Sequence, residues 1–296
     1  MNSTNPKQIL SSVPNSQGRI LIFNNLKPGH RKTILRVNIA FLILVMPYLA
    51  VRRVFRVFFG RLKNYEIFLT AGLASTTDYL EKIKTPELVR TWIDVRSRFG
   101  FEKEVVKTAL AIRGNLFLDV GSDDGYYSVL LSRNFDAITA IEPNPSSFRR
   151  LNLTIAAGKL RNVTTLDESV SDHDGTAILY VKTVRGRHSL EFSEPVFAHD
   201  LGGTEVRTVT SLPVRTVKLD SLVKQTVDLV KVDVEGAEWR VIHGAEASIE
   251  TGRILRWIIE VHDKGARKEF ENYLQVKNYD TRWLSDRHLF ASLRPR

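Results

Sequence analysis

Cysteine is missing from all 296 residues of the chain. This removes disulfides, thiolate metal sites, iron–sulfur ligation and every thiol nucleophile together, and it is compatible with a reducing cytoplasm. A run of apolar residues long enough to span a bilayer is also missing. The stretch from Ile39 to Val51 has 13 residues and contains Pro47, against the roughly 20 that a spanning helix needs. No Asp or Glu precedes Glu66, so residues 1–64, with four Lys and seven Arg, carry +11. The net charge of +10 therefore sits in this leader, and the rest of the chain is electrostatically balanced. That distribution argues against a nucleic-acid partner for the catalytic region. What is present, 43% hydrophobic and 26% charged residues, suffices for a packed core and excludes a disordered or polytopic chain.

Residues 1–33 are rich in Ser, Asn, Pro, Gly and base without an apolar period, and are expected to form a flexible arm. Residues 34–63 interleave the apolar stretch with Arg52, Arg53 and Arg56. Such a segment is expected to lie in a membrane interface with its arginines reaching toward head groups. A true span and a helix packed on protein are the alternatives. A helical lead-in over 65–113 follows, with Thr85-Pro86 as a helix start, Gly100 as a stop, and a second helix from about Glu102 to Arg113. From residue 114 strands and helices alternate to the C-terminus: strands at 116–120, 137–142, 163–166, 176–181, 215–219, 227–234 and 255–262, helices at 126–134, 145–157 and 264–275, and two last strands near 279–284 and 288–293. The order predicts an open α/β sheet with helices on both faces. Residues 182–212, with Gly186, Gly202, Gly203 and Pro195, read as a long loop that covers substrate.

The chemistry concentrates in three places. Leu118-Asp119-Val120-Gly121-Ser122-Asp123-Asp124-Gly125-Tyr126 takes a buried strand through a glycine turn into a helix, and glycines let a ligand approach the backbone. Glu142 ends the next strand, where an acid accepts paired hydrogen bonds from ribose hydroxyls. The glycine spacing is not the G-x-G-x-x-G of a dinucleotide site, and two acids in the turn repel a pyrophosphate. They suit a cofactor bearing an amine and a sulfonium, S-adenosyl-L-methionine. The second place is Asp228 to Glu238, where strand period puts Lys231, Asp233 and Glu235 on one face. Asp233 and Glu235 then line the crevice where cofactor and acceptor meet, the alternative being a structural Lys231–Asp233 pair. The third is Glu260-Val261-His262, where His262 is a candidate proton acceptor. Asp233, Glu235, Glu260 and His262 have metal-ligand chemistry but no metal spacing motif, and no metal is assigned.

The ordered segments FLDVGSDDGYYS (117–128), AIEPNPSSFRRL (140–151), SVSDHDGTAIL (169–179), LDSL (219–222), DLVKVDVEGAEWRVIHGA (228–245) and IIEVH (258–262) resemble the FkbM-type S-adenosylmethionine-dependent methyltransferases. The resemblance covers roughly residues 100–265. It implies a class I, Rossmann-like methyltransferase sheet with a C-terminal antiparallel strand pair. It also implies a cofactor site at Asp119, Gly121, Gly125, Tyr126 and Glu142, with Ser169 near the adenine, and O-methylation of a hydroxyl on a sugar, glycoconjugate or secondary metabolite. Ser122-Asp123 departs from the Ala-Asn common in that family. A cofactor-fold scaffold without turnover is the alternative; a nicotinamide oxidoreductase and a nucleic-acid methylase rank below it.

Overall fold

A computed structural model describes residues 19–23, 34–38, 85–87, 89–90, 92–93, 102–183, 187–192, 196–198 and 204–295. The chain forms two units, Met1–Ile83 and Lys84–Arg296. In the first, β1 (Arg19–Phe23) pairs antiparallel with β2 (Ile34–Asn38), Leu21 opposite Arg36. An arm without regular structure is the sequence expectation there. The β-branched residues of RILIF and ILRVN favour the extended backbone that overrides it. The interfacial helix is expected over residues 34–63; residues 34–38 form β2 instead, and residues 39–63 lie outside the described residues. Among the described residues no helix is long and apolar enough to cross a membrane.

Early in the second unit, residues 86–87, 89–90 and 92–93 are helical, with a bond from the Val89 N–H to the Thr85 carbonyl at 3.2 Å. The expected stop at Gly100 lies outside the described residues. Then come α1 (Lys103–Leu110), β3 (Gly114–Val120), α2 (Tyr126–Leu130), β4 (Phe135–Ile141), α3 (Pro145–Gly158), β5 (Val163–Leu166), β6 (Ser169–Ser171), β7 (Gly175–Lys182), β8 (Val196–Ala198), β9 (Thr204–Val206) and β10 (Thr208–Lys218). After these follow α4 (Leu219–Leu222), β11 (Leu229–Val232), α5 (Glu238–His243), α6 (Glu246–Glu250), β12 (Arg256–Glu260), α7 (Arg267–Val276), β13 (Tyr279–Trp283) and β14 (His288–Leu293).

Seven strands form the central sheet in the order β13-β14-β12-β11-β3-β4-β5. All run parallel except β14, which is antiparallel to both neighbours. The middle strands are buried on both faces, as their near-continuous apolar runs require. Leu118, Val120, Val230, Val232, Trp257 and Ile259 share one core with Val241 and Ile242 of α5. Each such side chain contributes about 1.5–3 kcal/mol on burial. In the middle of this apolar layer Asp119 and Lys231 face each other in register on β3 and β11, 1% and 3% exposed. A lone charge at such depth costs several kcal/mol, so the pair marks the place where the sheet serves something other than packing.

Helix α3 begins where Asn144 accepts from the Ser146 and Ser147 N–H groups at 2.9 and 3.1 Å, a cap worth about 1 kcal/mol. Helix α2 stops at Leu130, short of the expected Asn134. Asn134 instead ties the turn to the end of α1, its amide donating to the Leu110 and Ile112 carbonyls. The expected loop over 182–212 is largely a β-arm. Strand β10 starts at Thr208, pairs antiparallel with β7 up to Lys182 and parallel with β6 through Thr216–Lys218, and β8 pairs with β9. Gly and Pro made this stretch read as loop, but Thr208-Val209-Thr210 is strand-forming. Pro213 sits beyond the β6 pairing, where β10 has a single neighbour and a missing N–H is tolerated.

Candidate active site

Beyond the carboxyl ends of β3, β4, β11 and β12 lies a cleft of about 830 Å³, within the usual size for a small-molecule site. Its first wall is the turn after β3. Gly121 and Gly125 take φ of +79° and +86°, in the left-handed region. At Gly121 a Cβ would lie 1.9 Å from the Asp233 carbonyl oxygen, so the turn and the end of β11 touch backbone to backbone and only glycine fits. Gly125 stands behind the turn, capping α2 against Leu151, and does not line the cleft.

Glu142 lies under the same turn, accepting from the Asp123 and Asn144 N–H groups at 3.0 and 2.8 Å. Burial, with the like charge of Asp123, pushes its carboxyl up to about 8. Asp119 is likewise raised by burial, against the pull of Lys231 and a 2.6 Å bond from the Ser128 hydroxyl. Asp123 turns to Ser147 (2.9 Å) and to the buried Arg150 (3.2 Å), so the acid that departs from the family pattern is neutralised within the protein. Tyr126 packs edge-on against Trp92 with ring centroids 5.9 Å apart. Ser169, 6% exposed, opens β6.

The opposite wall is ionic. Lys231 Nζ sits 3.2 Å from Asp233 Oδ2 and 4.7 Å from the centre of the Tyr127 ring. Burial alone would lower it, but Asp233, Glu102, Asp119 and Glu260 together hold the ammonium above its ordinary value. Tyr127 donates to Glu102. Strand β11 ends at Val232, so Glu235 reaches the cleft by a turn with φ +54° and not by the strand alternation expected of it. Burial raises its carboxyl, and Arg187 of the arm approaches to 3.6 Å. His262 lies behind Glu235. Its Nδ1 contacts Glu238 Oε1 at 2.8 Å, and its Nε2 stands 3.3 Å from Glu235 Oε2 and 3.5 Å from Glu260 Oε1. Burial pulls the imidazole down, but Glu235 and Glu238, backed by Asp233, outweigh it and push it up to about 11. These acids favour the imidazolium, which has no lone pair to take a proton, so the surroundings weigh against the expected role as base: a strand-end histidine is a base only if its neighbours leave it neutral.

Of the nine expected site residues, Asp119, Gly121, Tyr126, Glu142, Ser169, Asp233 and Glu235 line the cleft, whereas Gly125 and His262 stand behind it. Sequence reasoning did not single out Glu102, Arg187, Glu238 or His288. Glu238 is 2% exposed, and its place three residues after Glu235 was the only signal. His288 Nε2 meets Glu260 Oε2 at 3.3 Å across β14 and β12, a proximity created by pairing alone.

The strand order, with its one reversed strand next to the edge and the site beyond the carboxyl ends of the parallel strands, defines the class I methyltransferase fold. The model of the Methyltransferase FkbM domain matches residues 119–283, over half of the chain, and the chain belongs to that family. S-adenosyl-L-methionine is the cofactor that goes with this membership. Among solved structures the chain is similar to a methyltransferase FkbM from Methylobacillus flagellatus KT, with 14% identity over 60% of this chain and 43% of that one, TM-score 0.42. It thus spans less than half of that structure's length. It is also similar to the precorrin-6y C5,15-methyltransferase from Geobacter metallireducens GS-15, with 13% identity over 66% and 88%, TM-score 0.38. A third is TrmK of M. capricolum in complex with S-adenosyl-homocysteine, with 12% identity over 63% and 64%, TM-score 0.33. No curated protein matches the chain.

The cleft suits that cofactor on its own chemistry. Its walls offer carboxylates to a sulfonium, an amine and hydroxyl donors, and the bare Cα of Gly121 leaves room beside them. Glu142 would hold it, with Asp119 behind the turn and Gly121, Tyr126 and Ser169 lining the cradle. The bound cofactor supplies an electrophilic methyl group.

Proposed function

We propose that the chain transfers a methyl group from S-adenosyl-L-methionine to a hydroxyl of a sugar, glycoconjugate or secondary metabolite. One observation carries this reading: a single cleft joins the cofactor acids Asp119 and Glu142 to Asp233 and Glu235, with the Gly121 turn pressed on the Asp233 backbone between them. In this reading Glu142 accepts from the ribose hydroxyls, and Asp119, fixed by Ser128, shapes the turn from below. Asp233 is held by Lys231 and faces the acceptor, and Glu235, whose burial makes it a stronger base than an ordinary carboxylate, receives the hydroxyl proton. His262 keeps Glu235 in place. Orientation of the two reactants is the main contribution of the protein to the rate.

The acceptor is a hydroxyl-bearing small molecule or glycan, not a nucleic acid, since the excess of basic residues lies before Glu66, whereas in the cleft Lys231, Arg187 and Arg287 are outnumbered by acids. The same charge asymmetry supports an anionic membrane surface, met through residues 34–63, as the place where the acceptor is presented. Calorimetric titration of the full chain with S-adenosylmethionine, S-adenosylhomocysteine and NAD tests the reading. Binding of the first two without NAD is expected, followed by methyl transfer in a screen of hydroxyl acceptors. Binding of NAD alone overturns it, and cofactor binding with no transfer to any class of acceptor favours a scaffold.

A further inference from the structure

The His262 ring is clamped from one side only. Glu238 holds Nδ1 at 2.8 Å and is itself fixed by the Gly236 N–H at 2.8 Å. The other nitrogen, Nε2, is buried and makes no hydrogen bond, although Glu235 Oε2, Glu260 Oε1 and Asp233 Oδ1 stand at 3.3, 3.5 and 3.9 Å. A carboxylate behind one ring nitrogen, with the opposite nitrogen aimed into oxygens, is how proteins orient a metal-ligating imidazole. The spacing also fits. Two donors bound to one ion at about 2.0–2.2 Å are at most about 4.4 Å apart, and Nε2 meets that limit with all three oxygens. The donor atoms of Asp233, Glu235 and His262 lie within 4.8 Å of one another. Four carboxylates (Asp233, Glu235, Glu238 and Glu260) face three permanent cations, Lys231, Arg187 and Arg287, so one further positive charge, the proton on His262 or a bound cation in its place, balances the cluster.

We propose that Asp233, Glu235 and His262 bind one divalent transition-metal cation, with Glu238 as the positioning residue behind His262. An imidazole nitrogen beside two carboxylates suits Mn²⁺, Fe²⁺, Co²⁺ or Zn²⁺ rather than Ca²⁺ or Mg²⁺, which prefer all-oxygen shells. The cation takes the place of the proton on Nε2. This deepens the methyl-transfer reading and rests on it for its purpose. Held on the acceptor side of the cleft, the cation acts as a Lewis acid on the acceptor hydroxyl. That hydroxyl gives its proton to the Glu235 oxygen not bound to the cation, and its oxygen forms the new C–O bond as the C–S bond of the cofactor breaks, leaving a neutral thioether.

The test is a Mn²⁺ titration of the full chain followed by electron paramagnetic resonance, with S-adenosylhomocysteine affinity measured on the same samples. One Mn²⁺ per chain is expected, with nitrogen modulation of the spin echo from one bound imidazole. Asp233→Asn and His262→Gln should weaken Mn²⁺ at least 100-fold, and Glu238→Gln 10- to 100-fold as an outer partner does, while S-adenosylhomocysteine affinity stays within threefold. Absence of a bound Mn²⁺, a bound Mn²⁺ without nitrogen modulation, or affinities unmoved by variants that still bind S-adenosylhomocysteine overturns the proposal. The nitrogen signal is read on the unmodified chain, so it decides the matter even if a variant fails to fold. Failure of S-adenosylhomocysteine to bind the unmodified chain sinks the methyl-transfer reading instead.

Discussion

The two walls of the cleft solve the same problem, a charged group in a buried place, by different means. On the β3–β4 side the backbone does it: Glu142 is met by two main-chain N–H groups, and the turn is shaped by residues in left-handed conformations. On the β11–β12 side other side chains do it: Lys231, Asp233, Glu235, Glu238, Glu260, His262 and His288 satisfy one another in a chain of ion pairs. Backbone satisfaction is local in sequence and rigid. Side-chain satisfaction draws on distant segments, and each member's charge depends on its neighbours. The first wall is suited to a constant ligand, the second to holding and moving a proton.

The contrast can be broken most forcefully where the walls meet. Gly121→Ala puts a methyl 1.9 Å from the Asp233 carbonyl at φ +79°, and should cost about 3 kcal/mol or more. That is a fall of about 10 °C in melting temperature, with cofactor binding lost on calorimetry; a stable, binding variant would show that the walls are not in register. Next comes Glu235→Gln, expected to lower turnover of a methyl acceptor about 100-fold, the usual scale for a group that handles a proton, with S-adenosylhomocysteine affinity nearly unchanged. Equal loss of both would erase the division of labour.

Glu142→Gln sharpens the backbone side. It removes charge-assisted hydrogen bonds worth about 1.5–3 kcal/mol, so cofactor affinity should drop about 10- to 100-fold. The sign of its pH dependence follows from the raised carboxyl. The folded protein binds the proton more tightly than the unfolded chain, so the stability Glu142 contributes is complete below about 4.5 and lost as pH rises through about 8. Ribose hydroxyls favour the ionised form, so cofactor affinity should rise between pH 6 and 8 and level off beyond. Titrations across that range on the native chain and on the variant, whose profile should be flat, check both. The smallest effect belongs to Arg240→Ala. Its 2.6 Å bond to Glu191 and 3.7 Å contact with Asp172 join half-exposed groups, so stability should move by less than about 1 kcal/mol and cofactor affinity not at all.

The same contrast explains what the sequence made legible. Gly121, Glu142 and the parallel strands announce themselves through spacing, because backbone-built sites need fixed residues at fixed separations. The open α/β sheet and its C-terminal antiparallel pair follow from the run of apolar segments and the family resemblance, whereas the strand order was not read from them. The ionic wall was half-visible. Asp233 and Glu235 stood out in an otherwise apolar strand, but Glu238 and His288 act through contacts made by β11, β12 and β14 coming together, and no local pattern encodes those. His262 was found for the right place but its charge state was not legible, since a histidine's protonation is a property of its surroundings. The arm was missed because Gly186, Pro195, Gly202 and Gly203, with few periodic apolar positions around them, read as loop, while pairing with β7 decides its backbone.

The contact between Gly121 and the Asp233 carbonyl also bears on how such a protein changes over time. A side chain cannot be added at 121 without displacing the carboxylate that faces the acceptor, so innovation at that point is blocked from both sides at once. The β7–β10 arm, which lines the cleft with Leu179, Arg187, His188, Ser189 and Leu190, is under no such restriction. Under the proposed methyl transfer, new acceptors are thus reached by rewriting the arm while the junction stays fixed, which makes the arm the segment to exchange in a test for a change of acceptor.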